Sequence, residues 1–487
     1  MDGALQTAIA IFNEAQTDNR VYMPFSLKEI VFHKTLPSSC FVYAVLKNDT
    51  SPSAFDITIT DEAGNICVQM KGLVLRPVLK QNQPEMIYLK HEWEQRDIQI
   101  INTPTSERFL IFGDVIKDKI QSICPNHILI TSDKTYEKVS ETHYSICPDD
   151  EKHYQQLFEE LDQLPIYMIH FWSQASFKKE DTEIKKSLSN SLISLFYLSK
   201  ALLKKQLSEV VRIICVVPPN QPVYEAISGF SKTLALESTR IQIKTLEMPE
   251  TSEITQQMIS ECLINDGIEV SYINNIRHVR QLQQIKPKAL RDVALKENGV
   301  YLISGGSGAL GQIFARYIAE KVQSTIVLCG RKATLNRFQL PLLKNVTSKI
   351  VYICADISVQ KDVVSLTKTI KEKYGNLTGI IHSAGIIQDA FIVKKDLKDF
   401  LNVITPKMFG SIYLDDATKN EPMDFFILFS SIASAFGNSG QCDYAYANGF
   451  LDAFARYRNK LEKNHQRSGR TISINWPLWE EGGMSPQ

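Results

Sequence analysis

Residues 301–311 read Tyr301-Leu302-Ile303-Ser304-Gly305-Gly306-Ser307-Gly308-Ala309-Leu310-Gly311. The run begins as a short apolar strand, and four glycines and two serines then follow within eight residues. Apolar residues from Leu310 to Ile318 recur on one stripe, which predicts an amphipathic helix after the turn. Glycine permits the tight turn and lets the backbone approach a pyrophosphate, which the N-terminus of the helix attracts. The stretch therefore predicts the first strand, turn and helix of a dinucleotide-binding unit.

The end of the second predicted strand, 325–329, indicates which dinucleotide binds. Gly330-Arg331-Lys332 stands where an NADH-binding unit would carry an acid for the ribose hydroxyl. Because arginine pairs well with a 2′-phosphate, Arg331 and Lys332 favour NADPH as the cofactor. The alternative is that both are ordinary solvated residues at the end of a strand.

The later strands of this unit add further candidates. Strand 350–354 leads to Asp356 and Ile357, and the Asp356 carboxylate can accept a hydrogen bond from the adenine amino group. Strand 377–381 leads to 382–385, whose small residues leave room for the nicotinamide ribose, although Ser383 or His382 can equally cap the next element. The candidate cofactor-binding residues are Ser304, Gly305, Gly306, Ser307, Gly308, Ala309, Leu310, Gly311, Arg331, Lys332, Asp356, Ile357, Ser383, Ala384 and Gly385.

The fifth predicted strand, 425–429, is followed by Ser431, and Tyr444 stands on the next predicted helix. A serine and a tyrosine placed in this way are typical of short-chain reductases. A tyrosine has an ordinary pKa of about 10, so it needs a nearby cation to transfer a proton near neutral pH. The usual pattern has lysine where Asn448 stands, and Lys407 on the preceding predicted helix is the candidate cation.

This exchange of lysine and asparagine is the mark of a family. Residues 297–487 resemble the catalytic subdomain of a modular polyketide synthase ketoreductase. The resemblance is carried by the Ser304–Gly311 turn, Arg331, Asp356, His382–Gly385, Lys407, Ser430-Ser431, residues 440–448 and Ile474-Asn475-Trp476-Pro477. Ser304, Ser307 and Ala309 replace the commonest family residues, Thr, Thr and Gly, and these changes are compatible with the same backbone.

The resemblance implies reduction of a 3-oxoacyl thioester to a 3-hydroxyacyl thioester by NADPH. Tyr444 would donate the proton, Ser431 would hydrogen-bond the carbonyl oxygen, and Lys407 would lower the pKa of Tyr444. Asn448 would hold Lys407 or a relay water. The implied partners are an acyl carrier protein, which presents the substrate on its phosphopantetheine arm, and neighbouring polyketide synthase domains. No metal is implied.

The resemblance also predicts the configuration of the product. In the family, an aspartate at the last place of a Leu-Asp-Asp motif marks enzymes that form the D-configured hydroxyl, and Asp389 is the only part of that motif present. The opposite class carries a tryptophan eight residues before the catalytic tyrosine, where this chain has Phe436. We therefore expect a D-configured product. The alternative is that Asp389 caps the helix that follows.

Residues 1–78 form a predicted unit of their own. A helix near the start, strands 40–45, 55–59 and 66–70, and a hairpin turn at Asp61–Asn65 predict an α+β hotdog-like fold. The unit resembles the C-terminal half of a polyketide synthase dehydratase, because Asp2 and Gln6 match its Asp-x-x-x-Gln motif and residues 23–27 and 72–78 match later landmarks. The catalytic histidine of that family belongs to the first half, which this chain lacks. We therefore expect no dehydration, with Asp2 as a helix N-cap, and a linker at 79–85.

Residues 86–290 predict a second doubly wound α/β unit. Its expected strands and helices are strands 109–113, 127–131, 166–171, 210–217 and 241–247, with helices 151–163, 182–205 and 222–237. Its first strand runs into Phe112-Gly113-Asp114-Val115 instead of a glycine-rich turn, so it offers no place for a pyrophosphate. The unit resembles the cofactor-free structural subdomain of the same family, with residues 229–237 as the clearest landmark. We expect it to pack on the catalytic unit, 297–487, as a pseudo-dimer.

The composition sets limits on function. Lys and Arg together number 54, as do Asp and Glu, so nothing indicates a nucleic acid or an anionic membrane as a partner. No segment is long and apolar enough to span a bilayer. Nine cysteines are scattered without a Cys-x-x-Cys motif, which indicates free thiols in a reducing cytoplasm and neither a disulfide framework nor a zinc site.

The expected fold class is therefore α/β, with two doubly wound Rossmann-like subdomains of short-chain dehydrogenase/reductase type after the hotdog-like segment. Two alternatives remain open. An extended short-chain reductase or epimerase acting on nucleotide sugars shares the spacing Gly305-x-x-Gly308-x-x-Gly311, although it would carry lysine at 448. A non-catalytic synthase scaffold would keep the fold but lose the tyrosine, serine or lysine, all of which are present.

Overall fold

The computed structural model describes residues 22–37, 39–47, 54–77, 86–101, 105–114, 120–249, 255–286, 295–335, 340–344 and 346–479. The chain divides into two compact units, Met1–Tyr88 and Leu89–Gln487. The predicted helix near the start of the chain, with Asp2 and Gln6, and the predicted linker at 79–85 lie outside the described residues.

The first unit contains an antiparallel sheet. Its strands are β1 (Tyr22–Ser26), β2 (Glu29–Phe32), β3 (Phe41–Lys47), β4 (Ala54–Thr60) and β5 (Ile66–Pro77). They are ordered β1-β5-β4-β3, and β2 also pairs with β5. Alternate residues of β4 and β5, among them Ile57, Ile59 and Val68, form a separate apolar core, as period-2 patterning requires. The predicted turn at Asp61–Asn65 is confirmed, because an Asp61 carboxylate oxygen accepts from Asn65 N at 2.8 Å.

The second unit begins with a ten-stranded sheet ordered β6-β15-β14-β13-β12-β11-β7-β8-β10-β9. Its strands are β6 (Tyr88–Gln95), β7 (Phe109–Phe112), β8 (His127–Ser132), β9 (Glu137–Ser140), β10 (His143–Ile146), β11 (Tyr167–His170), β12 (Val211–Val217), β13 (Ile241–Glu247), β14 (Glu269–Ile273) and β15 (Ile276–Ile285). The accompanying helices are α1 (Ile120–Ile123), α2 (Glu151–Glu160), α3 (Asp181–Leu188), α4 (Ser194–Leu203), α5 (Pro222–Glu225), α6 (Ile227–Glu237) and α7 (Gln256–Leu263). All five predicted strands are present.

The structure corrects the predicted elements of this half in two respects. The single helix expected at 182–205 is interrupted by a π-helical turn at Ser189–Ile193, and the helix expected at 222–237 is divided between α5 and α6. Strands β6, β9, β10, β14 and β15 and helices α1 and α7 were not predicted. The β14–β15 hairpin had a sequence signal, because Asn274 and Asn275 both adopt positive φ in its turn, as asparagines readily do.

The last part of the chain forms a parallel six-stranded sheet ordered β18-β17-β16-β19-β20-β21. Its strands are β16 (Val300–Ser304), β17 (Thr325–Gly330), β18 (Lys349–Cys354), β19 (Gly379–His382), β20 (Phe425–Ser431) and β21 (Arg470–Trp476). The helices are α8 (Ala309–Lys321), a 3₁₀ turn at Pro341–Leu343, α9 (Gln360–Tyr374), α10 (Leu397–Ala417), α11 (Ala433–Phe436) and α12 (Cys442–Lys463). This strand order is that of a doubly wound dinucleotide-binding fold, whose ligands bind at the carboxyl ends of the strands. The expected α/β fold class is confirmed.

The two α/β halves pack on one another through their helices. Phe196 of α4 stacks on Phe400 of α10, with ring centroids 4.7 Å apart, and Tyr446 of α12 donates a hydrogen bond to Val223 O of α5 at 2.8 Å. In the first half, side chains occupy the carboxyl end of β7, because the Asp114 carboxylate accepts from Ser132 N at 2.6 Å and from Trp172 Nε1 at 3.1 Å. The glycine-rich turn belongs to the second half.

Candidate active site

The glycine-rich turn has the geometry that its sequence predicts. Gly305 has φ +70°, and a Cβ added there would lie 2.8 Å from Ala384 Cα. A Cβ on Gly311 would lie 2.7 Å from Gly305 O. A side chain at either position would therefore collide with backbone, so glycine is what brings the turn, the start of α8 and the end of β19 together.

A cleft of about 920 Å³ lies at the carboxyl ends of the parallel strands. Twelve of the fifteen predicted cofactor-binding residues line it, namely Gly305, Ser307, Gly308, Ala309, Leu310, Gly311, Arg331, Asp356, Ile357, Ser383, Ala384 and Gly385. Ser431, Lys407 and Tyr444 line the same cleft, as do Asp389 and Phe436. The predicted cofactor and catalytic residues therefore share one cavity.

Three predicted cofactor residues do not line the cleft. Ser304 is buried, with its Oγ 2.7 Å from His382 Nδ1. Gly306 is buried, and a Cβ there would lie 2.7 Å from the Leu328 side chain. The glycine therefore allows the turn to pack against β17. Lys332 is exposed, and its backbone oxygen accepts from Tyr352 Oη at 2.8 Å.

Arg331 and Asp356 stand on neighbouring strand ends. Arg331 is exposed at the edge of the cleft, and among the described residues none forms an ion pair with it. Its guanidinium is therefore available to an anion. The Asp356 carboxylate accepts from Ser358 N at 2.9 Å, and Asp356 N donates to Asp362 Oδ2 at 3.0 Å, which fixes the residue on the wall of the cleft.

Lys407 is the buried cation of the site. Its Nζ donates to Phe429 O at 2.7 Å and lies 5.6 Å from the centroid of the Tyr444 ring. Burial lowers the pKa of Lys407 from 10.5 to about 7, against the weaker opposing effect of the Asp452 charge. A Cβ on Gly385 would lie 2.8 Å from Lys407 Cε, so a residue with a side chain at 385 would collide with the lysine.

Tyr444 is half-buried at the start of α12. Burial raises the pKa of Tyr444 above its ordinary value, and the Asn448 and Ser431 side chains lie close enough to oppose that rise. The Ser431 hydroxyl also accepts from Ala433 N at 3.2 Å, which holds it at the end of β20. The phenol, the serine hydroxyl and the lysine ammonium therefore meet at one wall of the cleft.

Asn448 lies one helical turn after Tyr444 on α12, and its predicted role in holding Lys407 or a relay water stays a prediction. Its Nδ2 donates to Tyr444 O at 2.7 Å, one helical turn back, and within the described residues it makes no hydrogen bond to Lys407. Its Oδ1 is buried, with no hydrogen-bond partner among the residues described. Asn448 therefore contacts two residues of the cleft, Tyr444 through its side chain and Ser430, whose Oγ donates to Asn448 O at 3.1 Å.

The two predicted stereocontrol residues border the cleft. Both Asp389 carboxylate oxygens accept from Gln441 Nε2 at 3.0 Å. The helix after this segment, α10, is capped by Asp396, which accepts from Lys398 N at 2.6 Å, so the alternative that Asp389 is a helix cap is wrong. Phe436 is 55 % exposed and faces the same cleft.

Sequence reasoning gave no role to several residues that line the cleft. Asn402 and Thr405 of α10 lie on the wall that carries Lys407, and Trp479 follows β21. In the sequence, Trp476 is only part of a family motif; in the structure, its ring meets that of Trp479 edge-on, with centroids 5.3 Å apart. Thr405 stands two residues before Lys407 on α10, so the sequence contained a signal for it. The residues after β21 follow no periodic pattern, and the sequence contained no signal for them.

Metal-binding clusters and membrane-spanning helices would indicate other classes of function. In the part of the chain that the structure describes, no group of three His, Cys, Asp or Glu side chains is placed to hold a metal ion. Among the same residues, no helix combines the length and apolar character needed to cross a membrane.

Three family models match parts of the chain. Residues 299–481 match a model described as KR domain, and residues 107–266 match one described as Beta-ketoacyl synthase-like, N-terminal. Residues 1–85 match a model described as Polyketide synthase dehydratase N-terminal domain. The predicted dehydratase likeness is confirmed, while its assignment to the C-terminal half of that domain stays a prediction.

Relatives and solved structures agree with these matches. Polyketide synthases PksN and PksL of Bacillus subtilis (strain 168) are each 30% identical over 99% of the chain, which spans only 8% and 10% of their lengths. A crystal structure of an N-terminal ketoreductase from the macrolactin assembly line is 32% identical, with TM-score 0.73, over 81% of this chain and 84% of that one. A ketoreductase domain from the bacillaene assembly line is 30% identical, with TM-score 0.62, over 82% and 87% of the two chains.

Proposed function

Because the chain belongs to the polyketide synthase ketoreductases, which are oxidoreductases of short-chain dehydrogenase/reductase type, we propose that it uses NADPH to reduce a 3-oxoacyl thioester. The substrate arrives on the phosphopantetheine arm of an acyl carrier protein, and the product is the 3-hydroxyacyl thioester. The observation that carries this proposal is that Tyr444, Ser431 and Lys407 line the same cleft as the glycine-rich turn.

The residues present fit NADPH. A Cβ at Gly305, Gly306 or Gly311 would lie within 2.8 Å of neighbouring atoms, so glycine at these positions keeps the turn tight, as close approach to a pyrophosphate requires. The N-terminus of α8 favours an anion there. Arg331, unpaired among the described residues, takes the 2′-phosphate, and Asp356 takes the adenine amino group. When bound, NADPH supplies the hydride that reduces the ketone.

Tyr444 donates its phenol proton to the carbonyl oxygen as the carbon is reduced. The Ser431 hydroxyl donates a hydrogen bond to the same oxygen and stabilises its developing negative charge. Lys407 stabilises the phenolate that remains, because its ammonium lies 5.6 Å from the tyrosine ring in a buried environment. One proton and one hydride are consumed for each ketone, and a proton from solvent restores Tyr444.

The proposed product has the D-configured hydroxyl. Asp389, tied to Gln441, and Phe436 border the cleft, so they are placed to control how the acyl arm enters and which carbonyl face is reduced. Chiral chromatography of the product tests this assignment. A predominantly L-configured alcohol would contradict it.

The function itself is tested by incubating the protein with NADPH and a 3-oxoacyl thioester and following loss of the reduced nicotinamide. We expect stoichiometric formation of the 3-hydroxyacyl thioester, identified by its mass. A nucleotide sugar serves as the control substrate and should leave NADPH unchanged. Turnover of the sugar without turnover of the thioester would support the epimerase alternative and overturn the proposal.

A further inference from the structure

One face of α6, in the cofactor-free half, packs against the segment that leads to Tyr444. Gly229, Thr233 and Glu237 recur every four residues and therefore share that face. A Cβ on Gly229 would lie 2.4 Å from Ala445 O, and Thr233 Oγ1 accepts from Asn438 N at 3.2 Å. The landmark at 229–237 thus includes residues that contact the catalytic half.

Glu237 makes the most specific of these contacts. Its Oε1 accepts from Gly440 N at 2.9 Å, and its Oε2 accepts from Ile392 N at 2.7 Å. The two amides belong to the two segments that border the cleft, 386–392 and 437–441. A carboxylate that accepts from two backbone amides makes strong, charge-assisted hydrogen bonds. One side chain of the cofactor-free half therefore holds both borders of the cleft.

The two border segments depend on such contacts because neither contains a helix or a strand. They are joined directly by Ala390 N, which donates to Gly440 O at 2.9 Å, and by the contact between Gln441 and Asp389. The amides that Glu237 accepts from have no other acceptor among the described residues. Burial raises the pKa of Glu237, while the two amides and the Lys395 charge oppose that rise and favour the carboxylate.

We infer that Glu237 is a positioning residue of the reductase: from the cofactor-free half, it fixes the two segments between which the acyl arm enters, and so contributes to the choice of carbonyl face. This inference rests on the proposed function. If Glu237 has this role, the cofactor-free half contributes to substrate selection as well as to the stability of the catalytic half. This role also predicts that loss of Glu237 affects the acyl substrate and not NADPH, because Glu237 lies at the segments that carry Asp389 and Gly440, away from Arg331 and the glycine-rich turn.

The test compares Glu237→Ala, Glu237→Gln and a matched control, Asp181→Ala. Asp181 is also a carboxylate of the cofactor-free half, and both its oxygens accept from Tyr413 Oη at 2.8 Å, outside the cleft. Each full-length variant is characterised by amide hydrogen exchange, melting temperature, Kd for NADPH, KM for a 3-oxoacyl thioester, and the ratio of D to L product.

For Glu237→Ala we expect amide exchange in 386–392 and 437–441 to rise about tenfold, since each loses a hydrogen bond to a charged acceptor. We also expect a higher KM for the thioester, a larger share of the minor enantiomer and an unchanged Kd for NADPH. Glu237→Gln keeps one acceptor oxygen and should lie between the wild type and Glu237→Ala. Asp181→Ala should lower the melting temperature and leave the enantiomer ratio unchanged.

Unchanged exchange and an unchanged enantiomer ratio in a folded Glu237→Ala protein would overturn the inference. An equal change in Asp181→Ala would overturn it as well, because it would assign the effect to general packing. If Glu237→Ala does not fold, the same two readouts on Glu237→Gln decide. Failure of the wild type to reduce any 3-oxoacyl thioester would instead remove the proposed function, and the exchange measurement would still decide whether Glu237 holds the two segments.

Discussion

The buried charge of Lys407 lowers the stability of the folded protein, but the proposed reaction requires it. The Lys407 side chain is 2 % exposed, and its hydrogen bond is to a neutral carbonyl oxygen, Phe429 O. A charged ammonium in that place costs free energy, which is why its pKa falls to about 7. The same charge, close to Tyr444, is what the proposed reaction uses.

Replacing Lys407 with methionine should therefore abolish turnover and stabilise the fold. Methionine has a similar length and no charge to bury. We expect Lys407→Met to raise the free energy of unfolding at pH 6 by roughly 1 kcal/mol or more, since one unit of pKa shift corresponds to about 1.4 kcal/mol. Denaturant unfolding of both proteins measures the difference.

The pH dependence of that difference has a definite sign. Between about 7 and 10.5, the folded and ordinary pKa values of Lys407, the unfolded wild-type chain binds more protons than the folded one, so wild-type stability gains with rising pH. The variant lacks this titration, and its advantage should be largest below pH 7 and shrink toward pH 10.5. An advantage that grows above pH 7 would contradict the assignment.

Arg331 and Lys332 provide a matched pair for the cofactor. Arg331 lines the cleft and Lys332 does not. We expect Arg331→Ala to raise the KM for NADPH by about 10-fold to 150-fold, the equivalent of a charged hydrogen bond of roughly 1.5–3 kcal/mol, with little change for NADH. Lys332→Ala should change neither value. Equal losses for both cofactors in Arg331→Ala would remove Arg331 from the 2′-phosphate site.

Among single residues, the sequence predicts those whose position depends on the backbone next to them in the chain. Gly305 and Gly311 were predictable because a tight turn excludes side chains, and Arg331 because it follows a strand directly. The partners of Asn448, Ser304 and Glu237 were not predictable, since they depend on which side chains the completed fold brings within about 3 Å. No spacing in the chain joins Glu237 to Gly440.

Helix α6 and helix α12 meet at a glycine, and that contact is testable. A Cβ at Gly229 would lie 2.4 Å from Ala445 O, next to Tyr444, whereas a Cβ at Gly449 would lie 3.3 Å from Ala226 O. We expect Gly229→Ala to destabilise the protein by about 1–3 kcal/mol through overpacking and to lower kcat, because the start of α12 must shift. Gly449→Ala, in the same interface, should cost less and leave kcat close to that of the wild type.

A Gly229→Ala protein with wild-type melting temperature and kcat would contradict this account of the contact. A loss of stability without a loss of kcat would show that α12 yields at a point away from Tyr444.

Elements were predictable in proportion to their periodicity. The parallel strands β16 to β20 lie within two residues of their predicted bounds, since each is a short apolar run between turn signals. The π-helical turn at Ser189–Ile193 leaves the hydrophobic pattern nearly unchanged, so the sequence predicts one continuous helix over 182–205. Strands β6 and β15 are largely polar, and they contain no apolar run that would predict a strand.

At the scale of the whole molecule, the cleft lies within the second unit, Leu89–Gln487, and the first unit has an apolar core of its own. We therefore expect a protein that lacks residues 1–85 to keep the kcat and KM of the full chain. A protein that lacks residues 86–290 should be inactive, because α10 and α12, which carry Lys407 and Tyr444, lose the helices on which they pack. Loss of activity in the first deletion, with its melting transition intact, would give residues 1–85 a part in the reduction.

The most direct test of the account is the rate of NADPH oxidation by Tyr444→Phe with a 3-oxoacyl thioester. The variant keeps the ring, its contact with Lys407 and the shape of the cleft, and it loses the one oxygen that donates the proton. We expect turnover to fall by orders of magnitude while the Kd for NADPH stays that of the wild type. A variant that keeps more than about a tenth of the wild-type rate, a loss below about 1.4 kcal/mol, would show that another group is the acid.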